Sequence, residues 1–182
     1  MTQRKSREDW INAGIDTLKT KGPQALSAEK LAKKLGVTRG SFYHHFENIH
    51  GFNTAILDHW VNVNTTIPFA EAKTNTSTPE DELEQLVEKS WHTDLQLEVA
   101  VRAWAMTNQQ VRQWVETSDK YRLEYLIGLY QAVVGDKEKG KRFAQIAFYG
   151  LLGAIHAQPK MAEEKLGELI REIQNLMMTS LK

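Results

Sequence analysis

Apolar residues recur along the chain at a spacing near 3.6, and only four prolines and eleven glycines interrupt 182 residues. The pattern predicts helices throughout and no strand. A first helix spans about Ser6 to Lys21, with Ile11, Ile15 and Leu18 on one face and Gly22-Pro23 ending it. Ser27 is placed to cap a second helix carrying Leu31 and Leu35, which Gly36 stops, and Thr38 to cap a third with Phe42 and Phe46 turned inward. A fourth begins near Asn48 and presents Phe52, Ile56, Trp60 and Val63 at successive turns. The stretch from Asn64 to Thr78, rich in Thr, Asn and Ser and holding Pro68, reads as an irregular connection.

Beyond it, Thr78-Pro79 opens a helix to about Asp94, another covers roughly Leu95 to Thr107, and a long one runs from about Gln109 to Val134. The long helix carries two apolar stripes and so packs on two sides. Gly135-Asp136 stops it and caps the next, which is small and apolar around much of its circumference to about Ala157, with Pro159 beyond. A last helix from about Glu163 repeats Leu166, Leu169, Ile170, Ile173, Leu176 and Met177 at a spacing near 3.5. The expectation is an all-α chain of about nine helices.

Composition narrows the class. With 41% hydrophobic and 25% charged residues, the chain has the make-up of a globular protein. No apolar run approaches the roughly 18 residues of a membrane span. The basic start leads into an amphipathic segment, unlike a secretory signal, and cysteine is absent, so the cytoplasm is the expected location. The same absence removes thiolate metal sites and cysteine nucleophiles, and no phosphate-binding glycine loop or clustered metal-ligand spacing occurs. No catalytic residues, metal or cofactor are therefore assigned, and an enzyme is not expected.

Net charge is zero, yet residues 1–46 hold nine Lys/Arg against four acids. A basic head on an acidic body suggests that the head meets a polyanion. Within it, Ser27 to Phe46 describes two short helices joined by a tight turn at Leu35-Gly36-Val37, the geometry of a helix-turn-helix. The second helix of such a unit, about seven residues starting at Arg39, enters the major groove with its N-terminal residues toward the base edges. At 100° per residue, Arg39, Gly40, Tyr43 and His44 fall on an arc apart from Phe42 and Phe46, so one face anchors while the other reads.

The candidate DNA-binding residues are Ser27, Lys30, Thr38, Arg39, Gly40, Ser41, Tyr43, His44 and His45. Arg39 suits a guanine or a phosphate, and Gly40 lets backbone and DNA approach closely. Tyr43 offers a hydroxyl to a phosphate and a ring to a thymine methyl, while Thr38, Lys30 and His45 suit phosphates. His44 and His45 point about 100° apart and cannot share one metal ion.

The run Leu-Ala-Lys-Lys-Leu-Gly-Val-Thr-Arg-Gly-Ser-Phe-Tyr-His-His-Phe, with the helix before it and the Gly22 to Leu26 link, closely resembles the DNA-binding head of the TetR family. The resemblance covers about residues 6 to 60, and Glu98 to Asn108 also looks like a segment of one TetR subgroup. It implies a regulator with a three-helix DNA-binding head, residues 1–48, and a helical ligand-binding and dimerisation body, residues 49–182. The partners implied are double-stranded DNA, a small-molecule inducer and a second copy of the chain, joined through the last two long helices, with no membrane.

Two positions depart from the family pattern. Where relatives place a phosphate-holding lysine at the start of the fourth helix, this chain has Glu47-Asn48-Ile49-His50, and Glu29 occupies the first turn of the second helix. Both lower the phosphate contribution, so a modest salt dependence is expected, with affinity resting on Arg39, Tyr43 and the arm Arg4-Lys5-Arg7. The same departures are what a rival reading uses, an interaction protein that keeps the fold but binds DNA feebly.

In the body, Trp60, Trp91, His92, Trp104, Trp114, Tyr121 and Tyr125 are candidate lining residues of an apolar cavity for a flat or aromatic ligand, with plain core packing the competing reading for each. Residues 143–155 are apolar on two broad faces, one more than a single core needs, and a symmetric four-helix interface uses the surplus.

Overall fold

The structure is a computed structural model that describes residues 4–180, and among these every regular element is helical. The order is α1 (Arg7–Lys21), a 3-10 turn (Pro23–Ala25), α2 (Ala28–Leu35), α3 (Arg39–Tyr43), α4 (Ile49–Val61), a π-helical segment (Asn62–Thr66), α5 (Ile67–Thr74), α6 (Pro79–Lys89), α7 (Leu95–Ala105), α8 (Gln109–Val134), α9 (Lys137–His156) and α10 (Glu163–Thr179). The chain divides into two compact units, one holding the residues up to Asn62 with Gln96–Val115, the other holding Val63–Leu95 and the chain from Glu116 onward.

The first unit is built on α1 to α4. Ser6 caps α1 in a reciprocal box, its side chain accepting from Asp9 N while the Asp9 carboxylate accepts from Ser6 N. Trp10, Ile15 and Leu18 from α1 join Leu31, Phe42, Phe46, Phe52, Ile56 and Trp60 in one core, with Leu97, Val101 and Trp104 from α7 and Val111 from α8. Helices α1 and α4 come close at Gly14, where an added Cβ would stand 2.5 Å from the Phe52 ring. Within this core Glu98 is nearly fully buried, yet both its oxygens are engaged: Oε2 accepts from Trp60 Nε1 and Oε1 from Arg102 Nε, each at 2.7 Å. A carboxylate held by an indole N–H and a guanidinium is a satisfied buried charge.

The second unit gathers Ala72, Leu83, Leu86, Leu129, Tyr130, Phe143, Ala144 and Met177 from α5, α6, α8, α9 and α10. Its polar interior lies around the π-helical segment. Asn64 brackets the backbone of Asp94 with two hydrogen bonds of 3.1 Å, and the Thr65 hydroxyl accepts from Arg122 Nε at 2.7 Å.

Several boundaries differ from those the pattern predicts. The stretch from Asn64 to Thr78 is mostly helical, and α5 within it raises the number of α-helices to ten among the described residues. In the π-helical segment the buried positions, Asn64 and Thr65, are polar, so apolar periodicity is silent there, and Pro68 sits in the first turn of α5, where its missing N–H is tolerated. Helix α3 is five residues long, ending at Tyr43, and Thr38 makes no side-chain cap. The chain then turns through His44 and His45, with Phe46 N still bonded to Phe42 O at 3.0 Å. Helix α6 stops at Lys89, well before Asp94, where the Ser90 hydroxyl donates to Val87 O.

Candidate nucleic-acid interface

The turn between α2 and α3 is shaped by two local devices. The Ser27 side chain accepts from Lys30 N and closes the start of α2. Gly36 ends that helix in the left-handed region, φ 67° and ψ 32°, while Val37 N returns to Ala32 O at 3.0 Å. A side chain at Gly36 would meet no neighbour, so the constraint there is backbone conformation rather than space.

This turn sets α3 with one face down. Phe42 is fully buried, with its ring centroid 5.3 Å from Trp10, 5.3 Å from Phe46 and 5.4 Å from Phe52, mostly edge to face. The other face is open: Thr38, Arg39, Gly40, Tyr43 and His44 are exposed, and Ser41 and His45 are half-buried beside them. The arc derived from 100° per residue is therefore present in five residues of helix and the turn that follows.

Nearby charges are placed by contacts that span most of the head. The Arg4 guanidinium meets His44 Nε2, and His45 Nε2 lies 2.8 Å from Lys5 O, so the basic arm lies beside the end of α3. Arg7 stacks over Phe46 at 5.2 Å from the ring centre. Lys30 is exposed, with Nζ donating to Gln24 O. Lys34 is committed to α1, donating to Ala13 O at 3.1 Å and to the Thr17 hydroxyl at 3.2 Å. Lys34 thus serves packing, while Arg4 lies beside His44 at the end of α3 and Arg39 stands on the open face. Ile49 and Glu47, where the family pattern favours a lysine nearby, are both exposed.

Gly40 is informative for what it lacks. A Cβ there would meet only Thr38 Oγ1, at an ordinary 3.7 Å, so folding does not require glycine at this position. Glycine inside a helix is normally less stable than alanine, and no contact within the chain offsets that cost here.

The residues considered for an apolar cavity fall in two places. Trp60 and Trp104 are buried in the core of the first unit, with Trp114 packed against it. In the second unit Trp91 is buried against Gly167 and beneath Arg171, whose guanidinium carbon lies 4.8 Å from the ring centre, and His92 is exposed. Tyr121 and Tyr125 stay together, grouped with Phe69 at ring separations of 5.0 to 6.2 Å. Tyr125 donates its hydroxyl to Glu82, and burial, followed by that bond, pushes its pKa up. Sequence reading did not single out Phe69 or Glu82, because their grouping with α8 depends on the course of α5 and α6. A narrow apolar cleft of about 20 Å³, lined by Tyr130, Leu151, Leu169, Ile173 and Met177 among others, also lies within this unit.

Comparison with known proteins agrees with this geometry. Residues 11–52 match the family model for bacterial regulatory proteins of the tetR family. No curated protein matches the chain. Among solved structures, a TetR-family transcriptional regulator from Streptomyces coelicolor superposes with a TM-score of 0.74 at 13% identity, covering 97% of this chain and 90% of that one. The ketosteroid transcriptional regulator of Mycobacterium tuberculosis gives 0.70 at 14% identity, over 98% and 96% of the two chains. A transcriptional regulator from Saccharomonospora viridis, solved in complex with choline, gives 0.73 at 13% identity over 95% and 97%. At these identities the structures speak for the fold, and the head carries the family match. Residues 11–52 are thus similar to the head of the tetR family of bacterial regulatory proteins, on a fold that the chain shares along its length with solved transcriptional regulators.

Proposed function

We propose that the protein is a repressor that covers a palindromic operator as a homodimer and leaves it when a small hydrophobic or aromatic inducer binds the body. The observation that carries this reading is the two-faced α3, anchored by buried Phe42 and presenting Arg39, Gly40, Tyr43 and His44 to solvent. On this reading residues 1–48 contact DNA, with Ser27, Lys30, Thr38, Ser41 and His45 flanking the reading side chains, and residues 49–182 bind ligand and partner.

Dimerisation is supported by the outer surface of α9 and α10. Ile146, Tyr149 and Leu176 are half or more exposed. Gly150 and Gly153 beside them are exposed too, and a Cβ at either would meet nothing within 4 Å. An apolar helix face with bare backbone at its centre suits close packing against a second copy. A palindrome requires two reading helices, and a dimer supplies them.

Induction follows if the ligand prefers one spacing of the two heads over the other. The relative solved with choline supports a ligand role for this fold, and Tyr121 and Tyr125 with Phe69 are the aromatic group best placed for one in the second unit. No helix of the described residues is long and apolar enough to cross a membrane. Action in the cytoplasm, where the operator is, accords with this reading.

Selection of bound duplexes from random DNA by the full chain tests the proposal. It is expected to return an inverted repeat with half-site centres one or more helical turns apart, and a single unrepeated site would contradict the dimer. A charge prediction accompanies it. Glu29, exposed in the first turn of α2, adds like charge toward a phosphate backbone. Glu29→Lys is expected to steepen the dependence of log K on log salt by about 0.9 per head through one further released counterion, as read by fluorescence anisotropy. An unchanged slope would place Glu29 away from the DNA.

A further inference from the structure

The Arg39 side chain does not sweep freely over α3. Its Nη2 donates to the Tyr43 hydroxyl oxygen at 2.8 Å, and its guanidinium carbon lies 5.4 Å from the centre of the Tyr43 ring, one helical turn on. Positions four apart on a helix are neighbours, so the helix itself supplies this juxtaposition. Arg39 is exposed and Tyr43 is 48% exposed, so the pair stands on the open face rather than in the core. The bond from Arg39 to the Tyr43 oxygen is the largest influence raising the Arg39 pKa, and Glu29 acts in the same direction from α2.

A guanidinium has five N–H donors fixed in one plane. The bond to Tyr43 uses one of them, and among the described residues Arg39 donates to no other side chain. The remaining edge is a two-donor fork already held in orientation. That fork matches guanine, which presents two acceptors, O6 and N7, side by side in the major groove. An unrestrained arginine would lose rotamer freedom on docking, whereas a restrained one has lost part of it beforehand. The Tyr43 oxygen accepts from Arg39 and keeps its own hydrogen for a phosphate or a water, so its positioning role leaves its contact role open.

We propose that Tyr43 is a positioning residue for base recognition, holding Arg39 so that the two side chains read one guanine in each half-site as a unit. This rests on α3 being the reading helix, and it adds which base is read, and through which pair.

The test is the same random-DNA selection, run with the full-length wild type, Arg39→Ala, Tyr43→Phe and the double variant. Each folded protein is checked by helical circular dichroism and thermal midpoint. Tyr43→Phe keeps the ring under the guanidinium and removes the hydroxyl as acceptor and donor together, and since a lost phosphate contact carries no sequence information, the base preference isolates the acceptor role. It is expected to weaken the preference for guanine about 5- to 50-fold at one base pair per half-site, the same base pair at which Arg39→Ala abolishes it. The double variant is expected to match Arg39→Ala, because the tyrosine acts through the arginine.

Three results overturn the proposal while leaving the reading helix in place. They are a Tyr43→Phe that keeps the wild-type base preference, one that lowers affinity uniformly over all sequences, and one whose loss multiplies with that of Arg39→Ala. A wild type that enriches no sequence overturns the operator reading and the pair together.

Discussion

Glu98→Ala is expected to lower the stability of the protein by about 3–5 kcal/mol, the cost of breaking a buried ion pair from one side. The carboxylate side chain is 5% exposed and that of Arg102 14%, so solvent does little to screen either. Removing it takes away the acceptor of the Trp60 indole N–H, deep in the core of the first unit, and a carboxylate partner of Arg102. An unmet buried donor costs more than the net worth of the bond it made. Glu98→Gln keeps an acceptor for Trp60 while removing the charge, and a smaller loss of about 1–3 kcal/mol is expected. Urea unfolding followed by tryptophan fluorescence measures both. A loss below about 1 kcal/mol in Glu98→Ala would mean that the carboxylate does not hold this core together.

Gly40 is expected to separate folding from DNA binding. A Cβ has room there within the protein, and alanine is the better helix former, so Gly40→Ala should leave stability unchanged or raise it by about 0.5–1 kcal/mol. If the backbone at this position lies against DNA, the added methyl intrudes on a packed interface. A larger side chain intrudes further, and Gly40→Leu is expected to lose at least tenfold in affinity, about 1.4 kcal/mol or more. Thermal unfolding and anisotropy on one selected operator read the two quantities. Retained affinity in Gly40→Leu would remove the close approach on which the role of this glycine depends.

What could be read from the sequence was what local chemistry decides. Ser27 and Gly36 mark the ends of α2 because one supplies a cap oxygen and the other a left-handed backbone, and both work within four residues of themselves. The long helix from Gln109 to Val134 is bounded by signals of the same kind, and its limits match those expected. The open arc of α3 follows from 100° per residue once Phe42 is inside.

What could not be read depends on distant partners. Asn64 and Thr65 look like loop residues until Asp94 and Arg122 arrive to bond them, so a helical stretch was hidden behind polar side chains. The aromatic residues of the body look alike by type, but Trp60 and Trp104 belong to one core and Tyr121 and Tyr125 to another group, a division that only the packing of α7 and α8 decides. Arg4 beside His44 joins positions 40 apart, and no local signal announces it. The bond between Arg39 and Tyr43 was within reach of the helical spacing, since the two stand four residues apart.

The central claim, that α3 enters the major groove of its operator, is open to a direct physical measurement. The sequence has no cysteine, so His44→Cys introduces a single attachment point for an iron chelate that cleaves nearby DNA, and Glu80→Cys, exposed at the start of α6, gives a control. Strand cleavage is expected to be confined to each half-site of the selected operator, offset across the major groove, and to come from the probe at residue 44 alone. Cleavage that is spread evenly along the duplex, or as strong from residue 80, would contradict it.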